Sequence, residues 1–432
     1  MRIAIYHGSF ATGAGGSEVF ALRAAAALKE MGHEVDLYTS VLDKDELLAA
    51  CEYAGVCIFP KIINIIKGYQ AALLDNVLKK RLFSSLWIIN EYRKAYRELA
   101  AGVGHFLIGY DVTIAMQSSS NLYNMYLVPR DIAHFHSPIM VTGLAPLADY
   151  ISAGASPLME LYRRLVRSLE YKAFAETACS AAKTGKVTTN STWTKEALIK
   201  LNLPLLGVVP EPCRPRLIRI LKGASVIYSP IDYETYSSRY DLGTKDNFVL
   251  TVSRYSSEKN LWSIIYIASK VPEAHFVIAG TTKDIDSVEA LARLEFLIDK
   301  LKVKNVTLER DVPRKRLVDL YLAAKVYLHP LYVEHFGRAI AEGAAAGAVP
   351  VVYRDGGGWT DIASRIDPML GYTNIDGAAS IVRSLLSNKD LWLRLSRRSV
   401  EVAANFSWDN FKRRLDAAVR EAYELKRRTP HS

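Results

Sequence analysis

Hydrophobic and polar positions along the chain fall into two alternating rhythms. Short apolar runs bounded by polar or glycine-rich turns give way to longer stretches in which apolar residues recur every three or four positions. The beginning of the chain shows one full cycle: RIAIYH (2–7), the loop GSFATGAGGSE, then VFALRAAAALKEMG, then HEVDLYT (33–39). In the middle segment Phe20, Ala21, Ala24, Ala25 and Leu28 share a helical face, and Gly32 closes it. Such a strand, helix, strand unit predicts parallel pairing. Further strands are expected at DVTIAM (111–116), IAHFHSP (132–138), KVTTNS (186–191) and SVIYSPID (225–232), with helical patterns between them. A polar stretch, 232–247, interrupts the alternation. It restarts with FVLTVSR (248–254), a helix near 259–270, HFVIAGT (275–281), NVTLER (305–310), VYLHPLY (326–332) and VPVVYRD (349–355). The pattern predicts an α/β fold of two similar halves, each a mostly parallel sheet covered on both faces. The first domain is expected over 1–235 and the second over 236–408, with the basic amphipathic tail 409–432 returning as a helix to the first.

Composition narrows the class. At 432 residues, 50% hydrophobic and 23% charged, the chain is globular and too long for one compact core. Cys51, Cys57, Cys179 and Cys213 form no C-x-x-C pair and no zinc spacing, and are expected to be core thiols in a reducing compartment. MRIAIYHGSF reads as a first strand rather than a signal peptide, and the most apolar stretch, 99–116, is broken by His105 and Asp111. A cytoplasmic protein is the expectation. The formal charge of +10 implies attraction to something anionic, a membrane face or phosphorylated molecules. Without finger spacing, an aromatic-basic run or a long basic block, nucleic acid ranks lowest.

Two doubly wound domains facing a central cleft would bind ligands outside the strand C-terminal ends, so the loops after strands carry the candidate chemistry. GAGGSE (13–18) opens the first helix, where backbone amides at Gly15 and Gly16 and the positive helix end suit a phosphate. It is neither the dinucleotide fingerprint nor a Walker loop, and a tight turn with a dipole-favoured Glu18 accounts for it equally. In VSRYSSEKN (252–260), Arg254 and Lys259 lie five apart across a strand-to-helix turn and can converge on one diphosphate; a solvated loop with a Glu258 ion pair is the alternative. In EHFGRAIAE (334–342), Glu334 and Glu342 are acceptors suited to vicinal hydroxyls, while Phe336, Gly337 and Arg338 offer amides at a helix start. HFHSP places His136, and two residues earlier His134, at a strand end where an imidazole can meet a hydroxyl or a leaving oxygen. DGGGWTD (355–361) removes side chains where backbone approaches a ligand, or is a flexible turn.

Taken in series, GGSE, TTNSTWT (188–194), VIYSPID, SRYSSEKN, the E-H-F-G-x4-E run with its following alanines and glycine, and FSW near the end resemble the family-4 retaining glycosyltransferases of GT-B fold. NSTWT, HSP and EHFG together look most like the branch containing the dolichol-linked-oligosaccharide α-1,2-mannosyltransferases. The resemblance implies two Rossmann-like domains and a GDP- or UDP-linked sugar as donor substrate, with no cofactor and no metal. It implies that Arg254 and Lys259 stabilise the donor diphosphate, that Glu342 holds ribose hydroxyls, and that Glu334 with the Phe336 and Gly337 amides holds the sugar. Gly15 and Gly16 would face the diphosphate, and His136 the sugar near the acceptor. His335 stands where the family usually has glycine, and Ser137 precedes the proline of H-x-P.

Transfer of this kind needs charge stabilisation on the departing phosphate, which two cations can supply. D-x-D matches at Asp43/Asp45 and Asp284/Asp286 would suit a metal-bound donor, but both lie in polar, surface-like segments. Segment 62–99 carries apolar residues at 73, 74, 77, 78, 82, 86 and 89 among Lys67, Lys79, Lys80, Arg81, Arg93 and Lys94. It reads either as an in-plane helix on an anionic membrane or as packed helices with basic outer faces. The expected activity is transfer of a hexosyl group, mannosyl or glucosyl, to a glycan or polyprenyl-phosphate-linked saccharide. A silent partner subunit binding a nucleotide sugar or glycan, and a sugar-nucleotide epimerase, are the alternatives.

Overall fold

A computed structural model describes residues 1–11, 15–63, 86–117, 130–138, 183–282 and 285–428, with scattered positions between 168 and 179. The chain divides into two units. Unit 1 comprises 1–190, 194–227 and 412–432, and unit 2 comprises 191–193 and 228–411.

Unit 1 is built on seven parallel strands: β1 (Arg2–His7), β2 (Glu34–Thr39), β3 (Lys61–Ile62), β4 (Val112–Met116), β5 (Ile132–Phe135), β6 (Lys186–Thr189) and β7 (Ser225–Val226), in the spatial order β3-β2-β1-β4-β5-β6-β7. Unit 2 repeats the winding with β8 (Asp246–Val252), β9 (His275–Gly280), β10 (Val306–Arg310), β11 (Ala324–His329), β12 (Val349–Tyr353) and β13 (Gly371–Tyr372), in the order β10-β9-β8-β11-β12-β13. In each sheet the order reverses beside the first strand, which fixes where loops diverge and leave a crevice.

The continuous apolar character of the strands follows from burial on both faces. Ile3, Ala4, Ile5 and Tyr6 of β1 are fully buried. Helix α1 (Gly16–Glu30) is alanine-rich because nearly all its residues from Ser17 to Leu28 are buried. In unit 2, helix α2 (Arg338–Ala345) approaches β11 closely at Gly343, where an added Cβ would lie 3.0 Å from the Tyr327 ring. Helix α3 (Trp408–Arg428) belongs to unit 1 from Lys412 onward. There Lys426 donates to the Tyr110 and Asp111 carbonyls and to Asp131, and Asp416 sits 3.3 Å from His33.

Each strand expected from the hydrophobic pattern has a counterpart, and four two-residue strands were not expected from it: β3, β13, and the separate parallel pair Ser9–Phe10 and Val41–Leu42. The run IAHFHSP stops pairing at Phe135, so His136 lies beyond the strand end. SVIYSPID pairs only over β7, with the Ile227 amide adding one last bond to the Thr189 carbonyl at 2.8 Å. The cysteines depart from expectation: Cys51 is bonded to Cys57 and Cys179 to Cys213, so none is a free core thiol. The left-handed Gly55 turns the chain back after the helix Lys44–Ala54 and brings Cys57 to Cys51. Free thiols therefore cannot be cited for a reducing compartment. Of segment 62–99, residues 64–85 lie outside the described residues. Among the described residues, no helix is long and apolar enough to cross a membrane.

Candidate functional site

The reversal between β8 and β11 sets the loops 253–261 and 330–337 side by side. Asn260 ties them: its backbone takes a left-handed turn (φ 54°), and its Nδ2 donates to the Pro330 carbonyl at 2.8 Å. Lys259, just before that turn, therefore points into the crevice, with Nζ 3.9 Å from Glu334 Oε2. His329, the last residue of β11, brings Nε2 to 3.3 Å from the same oxygen. Burial alone would push the Glu334 carboxyl up, but His329, Lys259 and His335 together hold it down to about 2. Burial also pulls the His335 imidazole below its ordinary value, against the opposing pull of Glu334.

The loop carrying Glu334 is held from behind by backbone. Gly356, with φ +84°, bridges to Glu334, and the Gly357 amide donates to the Glu334 carbonyl at 2.6 Å. A Cβ on Gly356 would lie 2.5 Å from that carbonyl oxygen, and one on Gly357 2.2 Å from the His335 oxygen. The glycine run thus serves close approach to the chain itself. Phe336 is buried, stacked on Tyr228 at 5.6 Å with Phe406 edge-on at 5.1 Å, so its ring is a prop for the loop. Gly337 (φ +92°) caps α2 in a left-handed turn that sends the first helical amides, from Arg338 on, forward without intrahelical acceptors.

The segment 191–193 braces the same loop. Ser191 Oγ donates to the His335 carbonyl, and the Trp193 indole stacks on the His335 ring at 5.7 Å while its Nε1 donates to Asp355 at 2.8 Å. Asp361, 1% exposed, accepts from the Thr192 and Trp193 amides and from the Tyr228 hydroxyl. His329, Asn260, Asp361 and Tyr228 were not among the candidates from sequence. Asn260 directly follows Lys259 and Asp361 closes DGGGWTD, so position next to a flagged motif was their available signal.

The other expected residues divide. Glu342 is fully buried one turn into α2, with Arg338 at 3.6 Å and Arg314 at 3.9 Å; Arg314 also pairs with Asp232 at 2.9 Å. Its carboxylate faces guanidinium groups rather than open space. Arg254 is exposed and bonds Glu258 at 2.9 Å, so it and Lys259 take different partners instead of converging. In unit 1 a Cβ on Gly15 would lie 2.3 Å from Glu18 Oε2, whereas Gly16 is open. Glu18, buried and bonded by Ser17 Oγ, thus fills the space beside Gly15 at the start of α1. His134 is buried, bonded to Thr188 at 2.9 Å and stacked on Phe20 at 4.1 Å, and burial pulls its pKa down to about 3. His136 packs edge-on to both His134 and Phe20, and its amide and that of Ser137 donate to Gln117 Oε1. Asp43 of the first D-x-D caps its helix through the Asp45 and Glu46 amides; Asp286 of the second accepts from Ser257, and Asp284 lies outside the described residues. Among the described residues no group of three or more His, Cys, Asp or Glu could hold a metal ion.

Residues 232–401 match the family model "Glycosyl transferases group 1". This stretch is a glycosyl transferases group 1 domain. The domain contains the whole Lys259, His329, Glu334 and Glu342 cluster. The chain is 24% identical over 204 residues to a GDP-Man:Man(3)GlcNAc(2)-PP-Dol alpha-1,2-mannosyltransferase of Dictyostelium discoideum, a match covering 43% of this chain and 40% of that one. It is 29% identical over 210 residues to a D-inositol 3-phosphate glycosyltransferase of Mycobacterium leprae, covering 45% and 46%. These matches span less than half the length of either relative. The Anabaena protein HepE, solved in complex with UDP and glucose, superposes with a TM-score of 0.62 at 16% identity, covering 96% of this chain and 98% of that one. The group 1 domain and the preceding unit together have the GT-B fold.

Proposed function

We propose that the chain is a metal-independent, retaining glycosyltransferase that moves a hexosyl group, mannosyl or glucosyl, from a nucleotide-diphosphate sugar to a glycan or polyprenyl-phosphate-linked acceptor. The observation that carries this reading is the convergence of Lys259 and His329 on the Glu334 carboxylate at the switch point of the unit 2 sheet. A carboxylate held ionised beside forward-pointing helix amides is equipped to accept from sugar hydroxyls while the amides and Lys259 meet phosphate oxygens. The names of the relatives, a mannosyltransferase and an inositol phosphate glycosyltransferase, agree with this class.

In the proposed reaction the bond between the sugar and the β-phosphate oxygen breaks, and negative charge grows on the departing diphosphate. Lys259 stabilises that charge, joined by Arg254 once it leaves Glu258 for the phosphate. The acceptor hydroxyl attacks from the face the leaving group departs, its proton passing to a phosphate oxygen, which retains the configuration. Glu334 and the amides around Gly337 fix the sugar. Glu342 receives ribose hydroxyls after Arg314 shifts toward Asp232. Unit 1 carries 32 basic and 22 acidic residues, unit 2 carries 23 of each, so the whole charge of +10 falls on unit 1. That excess supports peripheral binding to an anionic membrane surface, on its cytoplasmic face, where a lipid-linked acceptor would lie.

The test is calorimetric binding of GDP, UDP, ADP and their sugar conjugates, with and without EDTA, to wild type and Lys259→Ala. Chelator-insensitive binding of one nucleotide family, lost in the variant, is expected. Binding abolished by EDTA would replace the proposal with a metal-bound donor, and absence of all nucleotide binding would favour a silent partner subunit.

A further inference from the structure

The site contains a group that neither the motif spacing nor the resemblance pointed to. His329 is the last residue of β11, 5% exposed, and among the described residues neither ring nitrogen has a partner within ordinary hydrogen-bond geometry. Leaving a buried imidazole without partners is costly, so its place needs a reason. Its nearest ionic neighbour is Glu334 Oε2, 3.3 Å from Nε2. The ring cannot easily turn away. It lies parallel to the Tyr327 ring (6.4 Å, 16°), which stacks in turn on Tyr321 (5.9 Å, 25°). Tyr327 is pinned by its hydroxyl to the Val252 carbonyl, and the His329 carbonyl accepts from Tyr372 at 2.9 Å. A column of three rings, Tyr321 from the helix before β11 and Tyr327 and His329 from β11 itself, therefore delivers an imidazole to the carboxylate.

We infer that His329 is a positioning residue that keeps Glu334 oriented and ionised toward the sugar of the donor, independently of Lys259. This inference rests on the reading of Glu334 as the sugar-holding carboxylate. The division of labour follows from the two partners' anchorage. Lys259 sits on a loop at 3.9 Å with a flexible stem, and on donor binding it turns to the diphosphate. Glu334 then loses a cation at the moment it must accept from hydroxyls, and the fixed imidazole remains. The groups facing Glu334 are Lys259 from the 253–261 loop, His329 from β11 and His335 from its own loop; Gly356 and Gly357 contribute backbone only.

The experiment compares the affinity for GDP-mannose with that for GDP, and for UDP-glucose with that for UDP, at pH 7 and pH 5. It uses wild type, His329→Phe, which keeps a stacked ring, His329→Gln, which keeps a donor, Glu334→Gln and the double variant His329→Phe/Glu334→Gln. The expected result is that His329→Phe weakens the sugar nucleotide relative to its nucleoside diphosphate by roughly tenfold or more, with a larger loss at pH 5, and that Gln restores most of it at pH 7. In the Glu334→Gln background His329→Phe should change nothing further. An unchanged ratio in His329→Phe at both pH values, or an added loss on top of Glu334→Gln, overturns the inference while leaving the transferase reading intact. If His329→Phe melts early, the His329→Gln ratio at pH 7 decides in its place: a full loss with unchanged melting overturns it. Wild type that binds none of the four ligands would overturn the transferase reading and this inference with it.

Discussion

Units 1 and 2 wind their sheets in the same order yet furnish the crevice ends differently. In unit 2 the loops beside the reversal hold ionised groups, Lys259 against Glu334 and Glu342 between Arg314 and Arg338, in a unit whose formal charges cancel. In unit 1 the strand ends carry neutral polar groups: His7 and His134, both drawn to about 3 by burial, and the Gln117 amide under His136. Unit 1 nonetheless carries the chain's whole net charge. Local charge placed at a site and net charge spread over a surface are thus separable properties of one fold. The first suits short-range contact with phosphate, the second long-range attraction.

The largest effect expected from breaking this contrast is in unit 2. Lys259→Ala should lower sugar transfer by orders of magnitude with little change in melting temperature, measured with the donor that binds best. Normal turnover would remove Lys259 from the site. Glu342→Ala should behave differently, because it removes a buried carboxylate shared by the Arg314 and Arg338 guanidiniums: a loss of about 3 kcal/mol in denaturant unfolding should accompany the loss of activity. A stable but inactive Glu342→Ala would instead mark a carboxylate whose role is confined to ligand.

A pH titration sharpens the comparison at smaller scale. The Glu334 carboxyl is held at about 2 against an ordinary value near 4.5, so its contribution to stability is complete above about pH 4.5 and is lost as pH falls toward 2. With the side chain about one-fifth exposed, that contribution is of the order of 2 kcal/mol. Acid unfolding of Glu334→Gln should be correspondingly flatter over that window. For unit 1 the expected readout is salt: sedimentation with vesicles containing anionic lipid should weaken several-fold between low and physiological ionic strength, and neutral vesicles should bind little. His136→Ala should leave nucleotide affinity nearly unchanged and lower only transfer, since its ring packs with His134 and Phe20 inside unit 1.

Much of this was legible in the sequence because parallel strands buried on both faces write themselves as apolar runs. Eleven strands were found, most of them of that kind although β10 is half-exposed to exposed along its length, whereas β3 and β13 are two-residue edge strands outside any apolar run long enough to show a period. Glu334 and Lys259 were legible as loop residues after strands, and the structure brings them together. Arg254 was placed beside Lys259 by spacing, but the nearer Glu258 holds it on the outside. Glu342 was legible as a carboxylate and not as a buried one, since the two guanidiniums around it come from Arg338, one turn away, and from Arg314 on a separate helix. His329 was hidden because a histidine ending a strand has no period of its own; only the ring stack below it reveals its direction. The disulfides were missed because spacing reports neither redox compartment nor the Gly55 turn.

The run Gly356–Gly357 has a consequence for how this chain can vary. Every other support of Glu334 is a side chain and could be exchanged for another of similar shape, but here the partner is main chain lying where any Cβ would have to go. A saturation library across 355–361, sorted for folded protein, should therefore return a single letter at 356 and 357 while accepting several at the half-buried Thr360. Genetic drift can redecorate the rest of the crevice; at these two positions it has no vocabulary.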